Sequence, residues 1–310
     1  MDTVANFFHS LMKSRPEMIA LALETPRPAG SSSADRIPGP RPFAAQRESL
    51  ETEQRGGVDE WKALPHRILP VRLSAVSPLL SSADGLHYAA EQYRIVRTKV
   101  AQILSKPFRL VITSPGINDG KTLSAVNLAT AMALRSGERT LLIDADMRRA
   151  GMHRLLGVPL KPGLAEVLGG VCPLEEAMFA IEELPGFYAL SAGEPHCNPS
   201  ELLDSSRWRI LAQRVHHRFA QVIVDCPPVG VVADFDLVSA VCDGVALVVR
   251  PDHTNRTLCL AAIERLRPKL VGVLINAAPE WFLSNKSVRH EYYYRLDSER
   301  CRRAKPAKPE

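Results

Sequence analysis

A chain of 310 residues with 45% hydrophobic content can bury one core of about 200 residues and carry appendages around it. Six cysteines at 172, 197, 226, 242, 259 and 301 form no CxxC pair, which points to reduced, cytosolic thiols and away from a disulfide or zinc framework. The formal charge of +5 gathers in the last stretch, and no run approaches the roughly 18 uncharged apolar residues of a membrane span, so any membrane association is expected through a partner or a surface contact.

The N-terminal MDTVANFFHSLMKSRP lacks the basic region, long apolar run and small-residue cleavage site of a signal peptide. Residues 4–24 can form a short helix with Phe7, Phe8, Leu11 and Met12 on one side. From Pro26 to about Gly57 the chain is too poor in apolar residues to fold alone. Residues 58–83, cut by Pro65, Pro70 and Pro78, read as a linker against the following domain. Residues 1–84 are thus expected to be mostly disordered, 85–280 to form one domain, and 281–310 to form a tail.

Regular patterning begins at Tyr88, with a helix expected over 87–104 and a strand at FRLVITS (108–114). A helix over 121–136 follows, with Val126, Ala129, Met132 and Ala133 at helical spacing and Gly137 as its C-cap. RTLLIDAD (139–146) is the next buried strand. Further strands are expected at 187–191, 221–225, 245–250 and 270–276, and helices near 162–169, 206–217, 234–241 and 256–267. Strands that are continuously apolar, alternating with helices, predict a doubly wound α/β domain whose mostly parallel sheet is covered on both faces.

The segment VITSPGINDGKTLSAVNLA (111–129) is a buried strand, a tight turn and a helix that opens on GKT. Backbone N–H groups of Asn118, Asp119, Gly120, Lys121 and Thr122 can surround a phosphate at a helix N-terminus, whose dipole favours an anion. Lys121 would add positive charge at the β- and γ-phosphates, and the Thr122 hydroxyl would ligate Mg²⁺. The strict GxxxxGK[ST] pattern is not met, because Pro115 stands at its first glycine. Asp225, ending VIVD, and Asp144 and Asp146, in LLIDAD, fall at the carboxyl ends of strands, where open sheets bind ligands. Such carboxylates repel unless a cation lies between them. The bland alternative is that each caps a following turn or helix.

With these residues in view the chain resembles the bacterial protein-tyrosine kinases of exopolysaccharide and capsule synthesis. These sit within the deviant-Walker P-loop ATPases that include the division-site and plasmid-partition proteins. The resemblance covers about residues 70–295. Their second motif, hhhDxDxR, stands here as LLIDADMR, which implies Asp144 as catalytic carboxylate and Asp146 beside the Mg²⁺ site. Their hhhDxPP stands as VIVDCPP, which implies that Asp225 holds a metal-bound water; Asp234 matches a frequent later Asp. The lysine that partition proteins carry early in the loop is Gly116 here, as in the kinase branch. Asn118 stands where the family often has Gly, and Leu123, counted with the cofactor-binding loop, where it often has Ser or Thr.

EQYRIVR (91–97) resembles the helix through which these kinases assemble into rings, using Glu91, Arg94 and Arg97; alone it is an ordinary charged helix face. PGLAEVLGG (162–170), LSAGEPHCNPSELL (190–203) and VGVLIN match as well, and Asn276 falls where the wider family often contacts adenine. EYYY (291–294) resembles, in short form, the tail cluster phosphorylated by a neighbouring subunit, which implies Tyr292, Tyr293 and Tyr294 as acceptors.

The resemblance implies an ATP- and Mg²⁺-dependent tyrosine autokinase that regulates polysaccharide polymerisation and export. Lys121 and the loop amides would neutralise transition-state charge, and Asp144 would orient or deprotonate the tyrosine hydroxyl. The expected partners are further copies of the chain and a separate transmembrane chain-length protein as activator, which would recruit a cytoplasmic kinase to the inner face of the cell membrane. The competing readings are a switch ATPase that phosphorylates no tyrosine and a nucleotide-gated scaffold. Nucleic-acid binding is not expected, since no basic patch is interleaved with aromatics.

Overall fold

The computed structural model of the chain describes residues 67–70, 87–134, 138–196, 198–251 and 253–277. The helix expected over 4–24, Gly137 and the tail with Tyr292, Tyr293 and Tyr294 lie outside them. Continuous aliphatic runs form the strands: β2 (Phe108–Thr113), β3 (Thr140–Asp144), β6 (Gln221–Asp225), β7 (Gly244–Val249) and β8 (Leu270–Ile275). Every residue of β3, β6 and β7 is buried, which only a sheet covered on both faces permits.

Three shorter strands, β1 (Arg67–Leu69), β4 (Phe179–Ile181) and β5 (Phe187–Leu190), complete an eight-stranded sheet in the order β1-β4-β5-β3-β6-β2-β7-β8. All neighbours are parallel except β4 and β5. Side chains alternate across it. Val111, Leu141 and Ile143 join one apolar layer with Trp208 and Leu211, while Leu110, Ile112 and Leu142 join another with Leu128 and Met132.

The second layer is built by α1 (His87–Ile103), α2 (Lys121–Ala133) and α3 (Met152–Leu156). Helix α2 is buried from Ser124 to Ala133 because it lies between the sheet and α1. The opposite face carries α4 (Leu164–Gly169), α5 (Leu174–Ala177), α6 (Pro199–Asp204), α7 (Ser206–His216), α8 (Asp234–Ala240) and α9 (Arg256–Leu266).

The expected long elements form within a few residues of their predicted ends. Two expectations need correction. Helix α2 stops at Ala133 with Leu134 as its cap residue, three positions before Gly137. The region assigned to linker and disorder contributes β1, whose Arg67, Ile68 and Leu69 pair with Phe179, Ala180 and Ile181. Pro65 and Pro70 flank this strand, and an edge strand tolerates proline there because it has one free side.

Candidate active site

Strands β3, β6 and β2 lie side by side, so the residues that end them share one rim. The parallel register sets Asp144 directly against Asp225, and Ile112 of β2 against Asp225 on its other side. The loop after β2 therefore opens above the Asp225 carboxylate. Its base is zipped to the DCPP segment: Cys226 N donates to Ile112 O at 3.1 Å, Val229 N to Ser114 O at 2.9 Å, and Thr113 Oγ1 to Pro227 O at 2.7 Å.

The phosphate loop turns through two left-handed residues, Asn118 (φ 62) and Gly120 (φ 93), before α2 starts at Lys121. Asn tolerates that region better than most non-glycine residues, so the departure from Gly at 118 leaves the turn intact. At Gly120 a Cβ would lie 1.9 Å from Asn276 Nδ2, so a side chain there would displace the Asn276 amide as well as strain the left-handed backbone. Asp119 does not face a phosphate. Its buried side chain accepts from Gly116 N (3.0 Å) and from Thr254 Oγ1 (2.6 Å), which braces the loop from within.

Lys121 Nζ lies 2.6 Å from Asp146 Oδ2 and 3.9 Å from Asp225 Oδ1. Burial pushes its ammonium down, but Asp225, Asp146 and Asp144 together hold it above the usual lysine range. Asp144 is fully buried; its Oδ1 accepts from Asp146 N, and its Oδ2 from Gly151 N and Met152 N at the start of α3. Desolvation and the facing Asp225 nonetheless push its carboxyl up to about 8. Burial likewise pushes Asp225 up against the pull of Lys121.

Both Asp225 oxygens are buried without a hydrogen-bond partner. Orphaned carboxylate oxygens are costly unless a cation or water meets them. With the Thr122 hydroxyl and Asp146 they form a hard oxygen set that fits Mg²⁺. Among the described residues no group of three His, Cys, Asp or Glu side chains is set to hold a metal alone. An ion here would take its remaining ligands from phosphate and water, as Mg²⁺ usually does.

A second network sits beside the first. Arg148, the last residue of LLIDADMR, donates through Nε (2.7 Å) and Nη2 (3.1 Å) to the two oxygens of the buried Asp234. Ser200 Oγ donates to the same carboxylate at 2.5 Å. Burial pushes the Asp234 carboxyl up, but Arg148 and Ser200 hold it below its usual range. This ties the turn carrying Asp146 to α6 and α8. Arg148 and Ser200 both lie in motifs quoted from the sequence, yet only the fold brings them together; Thr254 carried no signal at all.

The other expected residues are placed as follows. Leu123 is half-buried in the first turn of α2. Asn276 donates from Nδ2 to Asp119 O at 3.0 Å, so its amide braces the loop. Arg94 is exposed on α1, whereas Arg97 is half-buried and donates to Ala131 O at 2.7 Å, which commits part of its guanidinium within the protomer. The Glu91 side chain lies outside the described residues.

No family model matches the chain. Tyrosine-protein kinase YwqD of Bacillus subtilis is 34% identical over 192 residues, covering 60% of this chain and 80% of that protein. Tyrosine-protein kinase Ptk of Acinetobacter johnsonii is 34% identical over 205 residues, covering 64% of this chain. The chain spans only 28% of the length of that relative. The kinase domain of Escherichia coli tyrosine kinase ETK superimposes with a TM-score of 0.57 at 30% identity, covering 62% of this chain and 78% of that domain. Matched over most of one such kinase, and sharing the fold of another's kinase domain, the chain belongs to the family of bacterial tyrosine-protein kinases.

Proposed function

We propose that this chain transfers the γ-phosphate of ATP to protein tyrosine and acts as an autokinase in exopolysaccharide or capsule polymerisation and export. The observation that carries this reading is the rim on which Asp144, Asp146 and Asp225 surround Lys121 beneath a phosphate loop. The loop amides from Asn118 to Thr122 and Lys121 would bind the phosphates. Thr122, Asp146 and Asp225 would hold Mg²⁺, whose chemistry here is to neutralise phosphate charge. Asp144 is the group to orient the tyrosine hydroxyl and accept its proton. Asp144 would act in its ionised form, which the charge of Mg²⁺ bound beside it would favour.

The acceptors in this reading are Tyr292, Tyr293 and Tyr294 of an adjacent copy in a ring that uses Glu91, Arg94 and Arg97. Phosphates added to those tails would oppose the ring by like-charge repulsion. A transmembrane chain-length protein would activate the kinase and recruit it to the inner face of the membrane. Among the described residues no helix is long and apolar enough to cross a membrane.

The test is peptide mass spectrometry after incubation with ATP and Mg²⁺ and a candidate activator tail, comparing the protein with Lys121→Met. Phosphate on residues 292–294 only when Lys121 is intact is the expected result. ATP hydrolysis without phosphotyrosine in the same tube would overturn the kinase reading in favour of a switch ATPase.

A further inference from the structure

The phosphate loop is braced by a segment that contains no phosphate motif, the turn between β7 and α9. Asp119 is the link. Its side chain has no exposed surface, and its two oxygens do different things. Oδ2 accepts from Gly116 N and closes the loop on itself; Oδ1 accepts from Thr254 Oγ1, a residue 135 positions away. The Thr254 hydroxyl in turn accepts from Arg250 N at 2.9 Å. A hydroxyl has one hydrogen to give, and this acceptor bond leaves it directed at Asp119. The backbone of the turn is closed by Thr254 N donating to Arg250 O at 2.9 Å, so the hydroxyl sits on a fixed frame. His253 Nε2 approaches Ile117 O at 3.1 Å on the outer side of the same loop.

We propose that Thr254 is a positioning residue for nucleotide binding, whose hydroxyl acts through Asp119 to hold the phosphate loop in its ligand-ready shape. The loop needs such a brace because it turns through left-handed backbone at both Asn118 and Gly120. Left-handed turns of this kind keep one shape only where hydrogen bonds close them, and Asp119 supplies those bonds here. Without the hydroxyl, that buried carboxylate oxygen loses its donor from this turn, the His253 Nε2 atom standing 4.0 Å away. Such an oxygen recovers water by opening the loop, and the amides of residues 118–122 then lose their common aim. The inference rests on the reading of this loop as the ATP site, but not on tyrosine as the phosphate acceptor.

The experiment is equilibrium binding of a fluorescent ADP analogue with Mg²⁺ to the whole chain and to Thr254→Val and Thr254→Ser. Valine keeps the shape and deletes the hydroxyl; serine keeps the hydroxyl. The expected result is binding weakened about tenfold or more for valine and within about threefold of the parent for serine. Where turnover is measured, the ATP KM should rise with kcat largely retained, the signature of lost uniform binding. Should the valine variant fail to fold, Thr254→Ala reads the same loss. Binding by the valine or alanine variant within about twofold of the parent, or serine as weak as valine, would overturn the proposal. A parent protein that bound no nucleotide would overturn it together with the proposed function.

Discussion

Asp144 and Asp225 face each other in register, both buried, with Lys121 between them and Asp146. The charge crowding makes stability depend on pH in a way that Asp144→Asn should reduce. An aspartate ordinarily titrates near 3.8, and here Asp144 is pushed up to about 8. Between those values the folded chain holds a proton that the unfolded chain releases, so stability present below the lower value is lost as pH rises through the window. From pH 5 to 8 the loss is at most about 4 kcal/mol at 1.36 kcal/mol per unit. Relaxation and water penetration around a coupled pair reduce it to about 2 kcal/mol, or roughly 4–8 °C in Tm for a domain of this size. The asparagine amide would meet the Asp146 N–H where Asp144 Oδ1 now accepts, a fixed penalty of about 1–3 kcal/mol that does not change with pH. The informative quantity is therefore the slope. Thermal unfolding with EDTA from pH 5 to 9 should show the parent losing stability relative to Asp144→Asn by that margin. Parallel slopes would refute the buried, raised carboxylate.

Two further substitutions test the bracing of the site. Gly120→Ala places a methyl against Asn276 Nδ2 and forces alanine into left-handed backbone, so nucleotide binding should fall about tenfold or more; adding Asn276→Ala should recover part of that loss, and no relief in the double variant would remove the steric argument. Arg148→Lys gives up the two-pronged contact with Asp234 and leaves a buried oxygen underbonded, for a cost of about 1–3 kcal/mol and a Tm fall of about 3–10 °C by calorimetry; an unchanged Tm would show that the pair contributes little.

The long strands were legible because burial on both faces leaves continuous runs such as VIVD and VALVV, and their carboxyl ends carried the acidic residues into one rim. Lys121, Asp144, Asp146 and Asp225 could be read for that reason. What could not be read were contacts made by ordinary residues across large sequence distances. Thr254 looks like any loop threonine until β7 is laid beside β2, and Arg148 finds Asp234 only because β3 and the turn after β6 converge. Short elements were lost for another reason. Strands β1 and β4 have three residues each, too few for a period, and they pair only because the edge of the sheet offers partners. Arg97, expected at a subunit interface, satisfies a carbonyl in the last turn of α2 of its own chain.

Asn276 does more than brace a glycine turn. It stands directly after β8, and the tyrosines proposed as acceptors begin 16 positions later, at Tyr292. The end of β8 thus stands beside the phosphate loop, where the Asn276 side chain reaches the Asp119 carbonyl at 3.0 Å. Sixteen residues reach at most about 55 Å when fully extended. In the proposed kinase, contour length alone does not choose between a chain's own phosphate loop and that of an adjoining copy. On the proposed function, transfer between subunits requires the assembly to direct the tail, and an isolated monomer is the species in which transfer within one chain is expected.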